Sequence, residues 1–142
     1  MTKGELANNI FNKGYNCAQA VALAFQEEMG LSEDAIKKLI IGFGGGFGRQ
    51  RLVCGAVSGM TMVLGYLRSD DMDKLAVYEI IQKACAEVKN KLGSLICSEL
   101  LDGEVALRTS NNVDEKAMQQ FKKRPCDEIC KIVADVTDKY LK

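Results

Sequence analysis

A single proline, Pro125, stands in 142 residues, and between the glycines apolar residues return every three or four positions. Proline inside a helix removes a hydrogen bond and clashes with the preceding turn, so its near absence leaves long helices permitted. No segment shows the strict alternation of a half-buried strand, and no internal repeat is visible. The expected fold is all-α, an orthogonal helical bundle of about six to eight helices, with residues 1–142 forming one domain.

Helix starts and stops follow from local chemistry. A short first helix spans Gly4 to Asn12, and Lys13-Gly14-Tyr15 breaks it. Asn16 caps a second helix that runs to about Met29, where Gly30 ends it. Ser32 caps a third, with Glu33 and Asp34 in its first turn and Ile36, Leu39 and Ile40 as its apolar face. A glycine-rich loop, Gly42 to Arg51, leads to a fourth helix from about Cys54 to Leu67. That helix is apolar nearly all round and is expected at the centre. Asp70 or Asp71 starts the fifth, whose expected core stripe is Leu75, Tyr78, Ile81, Cys85, Val88 and Leu92. Ser94 caps a short helix through Leu101. Residues 102–112 read as a loop and 114–123 as a short helix. Pro125 opens the last helix, with Ile129, Val133, Val136 and Tyr140 on one face.

Composition excludes several functions. With no histidine, the chain holds neither a Ser-His nor a Cys-His catalytic pair, and no His-ligated zinc or haem. Lysine plus arginine equal aspartate plus glutamate at 19 each, so nothing indicates nucleic-acid binding. The first residues lack the apolar core of a signal peptide. The longest uncharged run, Leu52 to Leu67, has 16 residues, too few for a confident membrane span. The expected location is cytoplasmic.

Six cysteines in a reducing compartment point to metal binding, redox chemistry or buried thiols rather than structural disulfides. Four of them, Cys17, Cys54, Cys97 and Cys126, fall in the first turn of an expected helix. Free N–H groups and the positive end of the helix dipole stabilise thiolate there. Arg49 and Arg51 precede Cys54, and Lys123 and Arg124 precede Cys126, adding positive charge. Cys85 and Cys130 read as buried apolar residues, although Cys126 and Cys130 are one turn apart and could supply two ligands. There is no CxxC, so neither a thioredoxin motif nor a zinc ribbon is present. The glycine loop fails both the dinucleotide and the phosphate-loop spacing. It is expected to bring backbone close to a neighbouring helix, or to let Cys54 meet its partners unobstructed. Gly55 and Gly59 would likewise admit another backbone, either within the domain or from a second subunit in a homodimer.

The segments Gly14 to Val21, Gly42 to Arg49, Cys54 to Gly59 and Gly93 to Leu101, followed by Cys126, resemble the redox-active proteins named for a C–GCAxxG–C–C pattern. Here Cys54-Gly55 stands in the reverse order of the pattern's first two letters, displacing the thiol by about 100° if the helix has begun. The resemblance implies a helical fold and a redox or electron-transfer role, with an unknown redox partner. A similar region in split-Soret cytochromes is associated with an iron–sulfur centre. It therefore implies Cys17, Cys54, Cys97 and Cys126 as ligands of an iron–sulfur cluster, supported by Asn16, Arg49, Arg51, Gly55 and Gly59. Zinc, or metal-free thiol–disulfide chemistry, are the alternatives.

Overall fold

The structure is a computed structural model and describes residues 1–100 and 125–142. The described residues form a helical bundle: α1 (Lys3–Asn12), α2 (Cys17–Ala24), α3 (Gln26–Met29), α4 (Glu33–Ile40), α5 (Gly44–Phe47), α6 (Gly55–Arg68), α7 (Lys74–Leu92), α8 (Cys97–Leu100) and α9 (Cys126–Leu141). The loop expected at 102–112 and the helix expected at 114–123 lie outside the described residues. So do Lys123 and Arg124.

The centre of the bundle is α2, not α6. All eight of its residues are buried, and α1, α4, α6 and α9 pack around it. Alanines at 18, 20, 22 and 24 explain how: small side chains let helix axes draw close on every side. Asn16 holds its start with a capping box, accepting from Gln19 N at 2.9 Å while the Gln19 side chain accepts from Asn16 N at 3.0 Å. The helix stops earlier than the spacing predicts. Phe25 leaves helical geometry, separating α2 from α3, and its ring is fully buried beneath α1 with Lys3 Nζ 5.2 Å from its centroid.

One side of α6 faces inward through Gly55, Ala56, Val57, Gly59, Met60, Val63 and Leu64, while Tyr66 is exposed. The helix begins one residue later than expected, and Cys54 is its cap residue. In α7 the start also moves, to a cap at Asp73 whose side chain accepts from Ala76 N at 2.8 Å. Its core contacts are Val77, Ala84 and Val88, with Ile81, Cys85 and Leu92 flanking them. Leu75 and Tyr78 belong to the expected stripe yet are 72% and 50% exposed. The helix is packed by α6 and α9 along a line through Val77 and Ala84, which turns its N-terminal flank outward. Leu39 in α4 is similarly 64% exposed, leaving Ile36 and Ile40 as that helix's buried residues.

Pro125 caps α9 as expected, and Ile129, Cys130, Val133, Ala134, Val136 and Thr137 are buried. This face lies along α1, where Gly4 permits the closest approach: its N–H donates to Asp135 Oδ1 at 2.7 Å. The single β-bridge among the described residues pairs Val53 with Ile96 in antiparallel sense. No described helix is long and apolar enough to cross a membrane.

Candidate functional site

Three separate helix starts and one cap residue carry the four cysteines singled out by sequence. Cys17, Cys97 and Cys126 are the first residues of α2, α8 and α9, and Cys54 immediately precedes α6. All six cysteines of the chain are free thiols.

Cys17 and Cys54 meet. Their thiols are hydrogen-bonded, and both side chains are buried. Gly55 makes the meeting possible: a Cβ there would stand 2.5 Å from Cys17 Sγ and 2.9 Å from Phe43 O. One turn on, a Cβ at Gly59 would stand 2.8 Å from Ala18 O and 3.2 Å from Val21 Cβ. The close approach that these glycines permit is thus to the chain's own α2. The order Cys54-Gly55 places the thiol on the cap residue and the bare Cα beneath Cys17.

The ionisation of Cys54 runs opposite to the expectation drawn from helix starts. Its thiol is pushed well above its ordinary range by the hydrogen bond with Cys17, by burial, and by the charges that Cys17 and Cys126 carry. The Ala56 N–H pulls the other way, but it does not reach the geometry of a side-chain cap. A helix terminus offers only partial charge, and the neighbouring sulfurs and burial outweigh it. Cys54 is therefore held toward its protonated form by its contact with Cys17 and by burial.

Cys126 lies close enough for its charge to act on Cys54. Cys97 is fastened to the same region by the small β-bridge. Cys54 N donates to Leu95 O at 2.8 Å and Cys97 N donates to Leu52 O at 2.6 Å, tying the starts of α6 and α8 together. The Cys97 sulfur accepts from Arg51 Nη1 at 3.8 Å. Cys130 is fully buried and its thiol donates to Cys17 O at 3.7 Å, a backbone contact that braces the start of α2. Burial alone raises the Cys85 thiol.

The glycine loop folds over these residues. Gly45, Gly46 and Gly48 have φ of 67°, 72° and 64°, and Phe47, Arg49 and Arg51 adopt 65°, 64° and 63°. Three non-glycine residues in the left-handed region are costly and persist only where the surroundings fix them. A Cβ at Gly46 would stand 2.7 Å from Leu52 N and 2.8 Å from Cys97 Cβ. Gly44 lies against the Asn16 side chain, whose Nδ2 also donates to Ile41 O at 3.0 Å. The loop thus joins the cap of α2 to the Cys97 segment. Arg49 packs its stem beside Gly45.

A four-thiolate cluster needs its sulfurs pointed into one space. Among the described residues no group of three or more His, Cys, Asp or Glu side chains is arranged to hold a metal ion. Cys17 and Cys54 hydrogen-bond to each other, and Cys97 engages a guanidinium. The donors are of the right kind for a cluster, and among the described residues they are engaged with a thiol and a guanidinium rather than gathered as a set of three. What the sequence did not reveal is the pairing itself; Gly55, whose bare Cα faces Cys17 Sγ, was its available signal.

Neither a curated protein nor a solved structure matches the chain. Residues 15–140 match the model of the family described as "Putative redox-active protein (C_GCAxxG_C_C)". The match takes in all four helix-start cysteines and nearly the whole bundle, and the chain belongs to this redox-active C_GCAxxG_C_C family.

Proposed function

We propose that the chain is a thiol–disulfide redox protein whose working pair is Cys17 and Cys54. The observation that carries this reading is the buried, hydrogen-bonded contact between the two thiols, which pushes the Cys54 thiol up. A thiolate attacks a disulfide, and a second thiol must stand close to complete the exchange.

The chemistry balances with a disulfide as the electron acceptor. The Cys17 thiolate forms a bond to one sulfur of the incoming disulfide, and the other sulfur leaves as a thiolate and takes up a proton. Once Cys17 is bonded its electrostatic effect on Cys54, one of the causes that hold the Cys54 thiol up, is removed. Cys54 then gives up its proton, attacks Cys17 Sγ and displaces the second thiol. One external disulfide becomes two thiols, and two protein thiols become one disulfide. A reducing, cytoplasmic setting would return the pair to the dithiol form.

Iron–sulfur binding is the second reading, favoured by the third thiol, Cys126, within electrostatic reach of Cys54. Anaerobic purification separates the two. The dithiol reading expects colourless protein, without stoichiometric iron or zinc, that loses two free thiols per chain on mild oxidation by a small disulfide, without oligomerising. Brown protein carrying stoichiometric iron, or a thiol count that oxidation leaves unchanged, would overturn it.

A further inference from the structure

The glycine loop that folds over the thiol pair also shows apolar side chains to solvent. Ile41, Phe43, Phe47 and Leu52 on the loop, and Leu39 at the end of α4, are between 37% and 64% exposed. The Phe43 and Phe47 rings meet edge to face, 5.3 Å between centroids. The backbone draws the rest of the loop beside them. Leu52 N donates to Gly46 O at 3.1 Å, and Gly48 faces Gly42 O, so both neighbours of Phe47 touch the chain next to Leu52 and Ile41.

This display is held at a cost. Phe47 has φ of 65°, and a bulky residue in the left-handed region persists only where its surroundings fix it. The strain holds an aromatic ring at the surface instead of burying it. The display also stands directly on the pair. Phe43 O and Cys17 Sγ face one point, lying 2.9 Å and 2.5 Å from the position of a Cβ on Gly55. Asn16, the residue before Cys17, donates from Nδ2 to Ile41 O at 3.0 Å.

Size and charge select the occupant. At roughly 200 Å² for a fully exposed side chain of this kind, the patch amounts to about 450 Å². A stable dimer buries about 800 Å² per partner, whereas transient redox encounters stay below about 600 Å² a side. Between Ala35 and Ser69 the chain has five lysines and arginines and no aspartate or glutamate. Lys37, Lys38 and Arg49 flank the patch in sequence. Lys38 pairs with Asp34, and Lys37 lies over the Tyr15 ring. A second copy related by a two-fold axis would set like charges against each other, while a partner with acidic residues around an apolar centre is complementary.

We propose that the loop is the docking face for a protein whose disulfide lies in a small apolar surface rimmed by acidic residues, and which binds transiently to exchange with the Cys17–Cys54 pair. What is exchanged rests on the thiol–disulfide reading above; where the partner sits rests on the loop.

Reduced full-length protein is oxidised by two synthetic cystine peptides, one with leucine, phenylalanine and glutamate around the disulfide, the other with serine, glycine and lysine. Each rate is divided by that with bis(2-hydroxyethyl) disulfide, which cancels any change in the pair's own reactivity. The quotient should be about tenfold or more higher for the apolar, acidic peptide. Phe47→Asn, since asparagine tolerates the left-handed backbone, and Ile41→Ser should each lower it about threefold or more. Equal quotients for the two peptides, or no change in either folded variant, overturn the proposal. So do wild-type dimers in light scattering that Phe47→Asn dissolves, which mark a second copy on the face. A thermal midpoint lowered by more than about 10 °C in both variants overturns it too, since the chain itself would then cover the patch. If bis(2-hydroxyethyl) disulfide leaves the thiol count unchanged, the thiol-pair reading has failed, and docking is read from fluorescence anisotropy of the S-methylated apolar peptide. Wild type should bind it about threefold or more tighter than either variant; equal binding overturns the docking face.

Discussion

The sulfur of Cys17 occupies the space that a side chain on Gly55 would need, with only 2.5 Å between Cys17 Sγ and the position of a Cβ. The thiol contact and the packing of α2 on α6 therefore depend on one missing methyl group. Gly55→Ala should destabilise the protein by about 1–3 kcal/mol through overpacking and should disturb oxidation of the pair. Gly65 lies in the same helix with nothing within 4 Å of its Cβ position. Gly65→Ala should instead stabilise by up to about 1 kcal/mol, the helix-propensity gain. Urea unfolding of the two variants checks both signs.

The raised Cys54 thiol has a consequence for stability. Its folded pKa lies above its unfolded value, so the folded state binds more protons once the unfolded thiol ionises. The contribution is complete below about pH 8.5, the free-thiol value, and is lost as pH rises through the folded pKa. Stability should fall above about pH 8.5. The fall should be shallower in Cys54→Ala, where the Cys85 thiol, also raised by burial, still contributes. Denaturation midpoints between pH 7 and pH 10 give the slope.

Gly46 combines φ of 72° with the close approach of Leu52 N and Cys97 Cβ. Gly46→Ala should cost about 1–3 kcal/mol, from backbone strain and steric conflict together. Thermal unfolding measures the loss, and peptide-resolved labelling should show altered reactivity at Cys97.

Asn16 caps α2 and also reaches across to Ile41 O. Asn16→Ala should cost about 1 kcal/mol for the lost cap, measured by denaturant titration. Cys130→Ala provides a contrast. Its thiol donates to the Cys17 carbonyl, so the variant should lose about 1 kcal/mol of packing and keep the two-thiol oxidation count. Ellman titration before and after oxidation distinguishes bracing from redox participation.

Much of the architecture was legible because caps and glycines act locally. Asn16, Ser32, Gly30, Gly93 and Pro125 mark helix ends where expected, since each works within one turn. The stripe of α7 misled because its periodicity fixes a set of apolar positions but not which flank meets a neighbour; Leu75 and Tyr78 were left outside. The central helix was misassigned for a related reason. An alanine-rich helix is short of apolar bulk, yet its narrowness is what admits four neighbours. Four cysteines at helix starts were visible in the sequence. Their distribution between a thiol partner and Arg51 was not, because it depends on where residues 17, 54 and 97 meet in space. The direction of the Cys54 shift was hidden likewise, since it comes from sulfurs 37 residues away or more.

Peptide mapping of gently oxidised protein tests the central claim most directly. Digestion without reductant, followed by mass spectrometry, should yield the Cys17 peptide joined to the Cys54 peptide as the first intramolecular disulfide to form. If both peptides are recovered unlinked while other cysteines have oxidised, the paired-thiol account is contradicted.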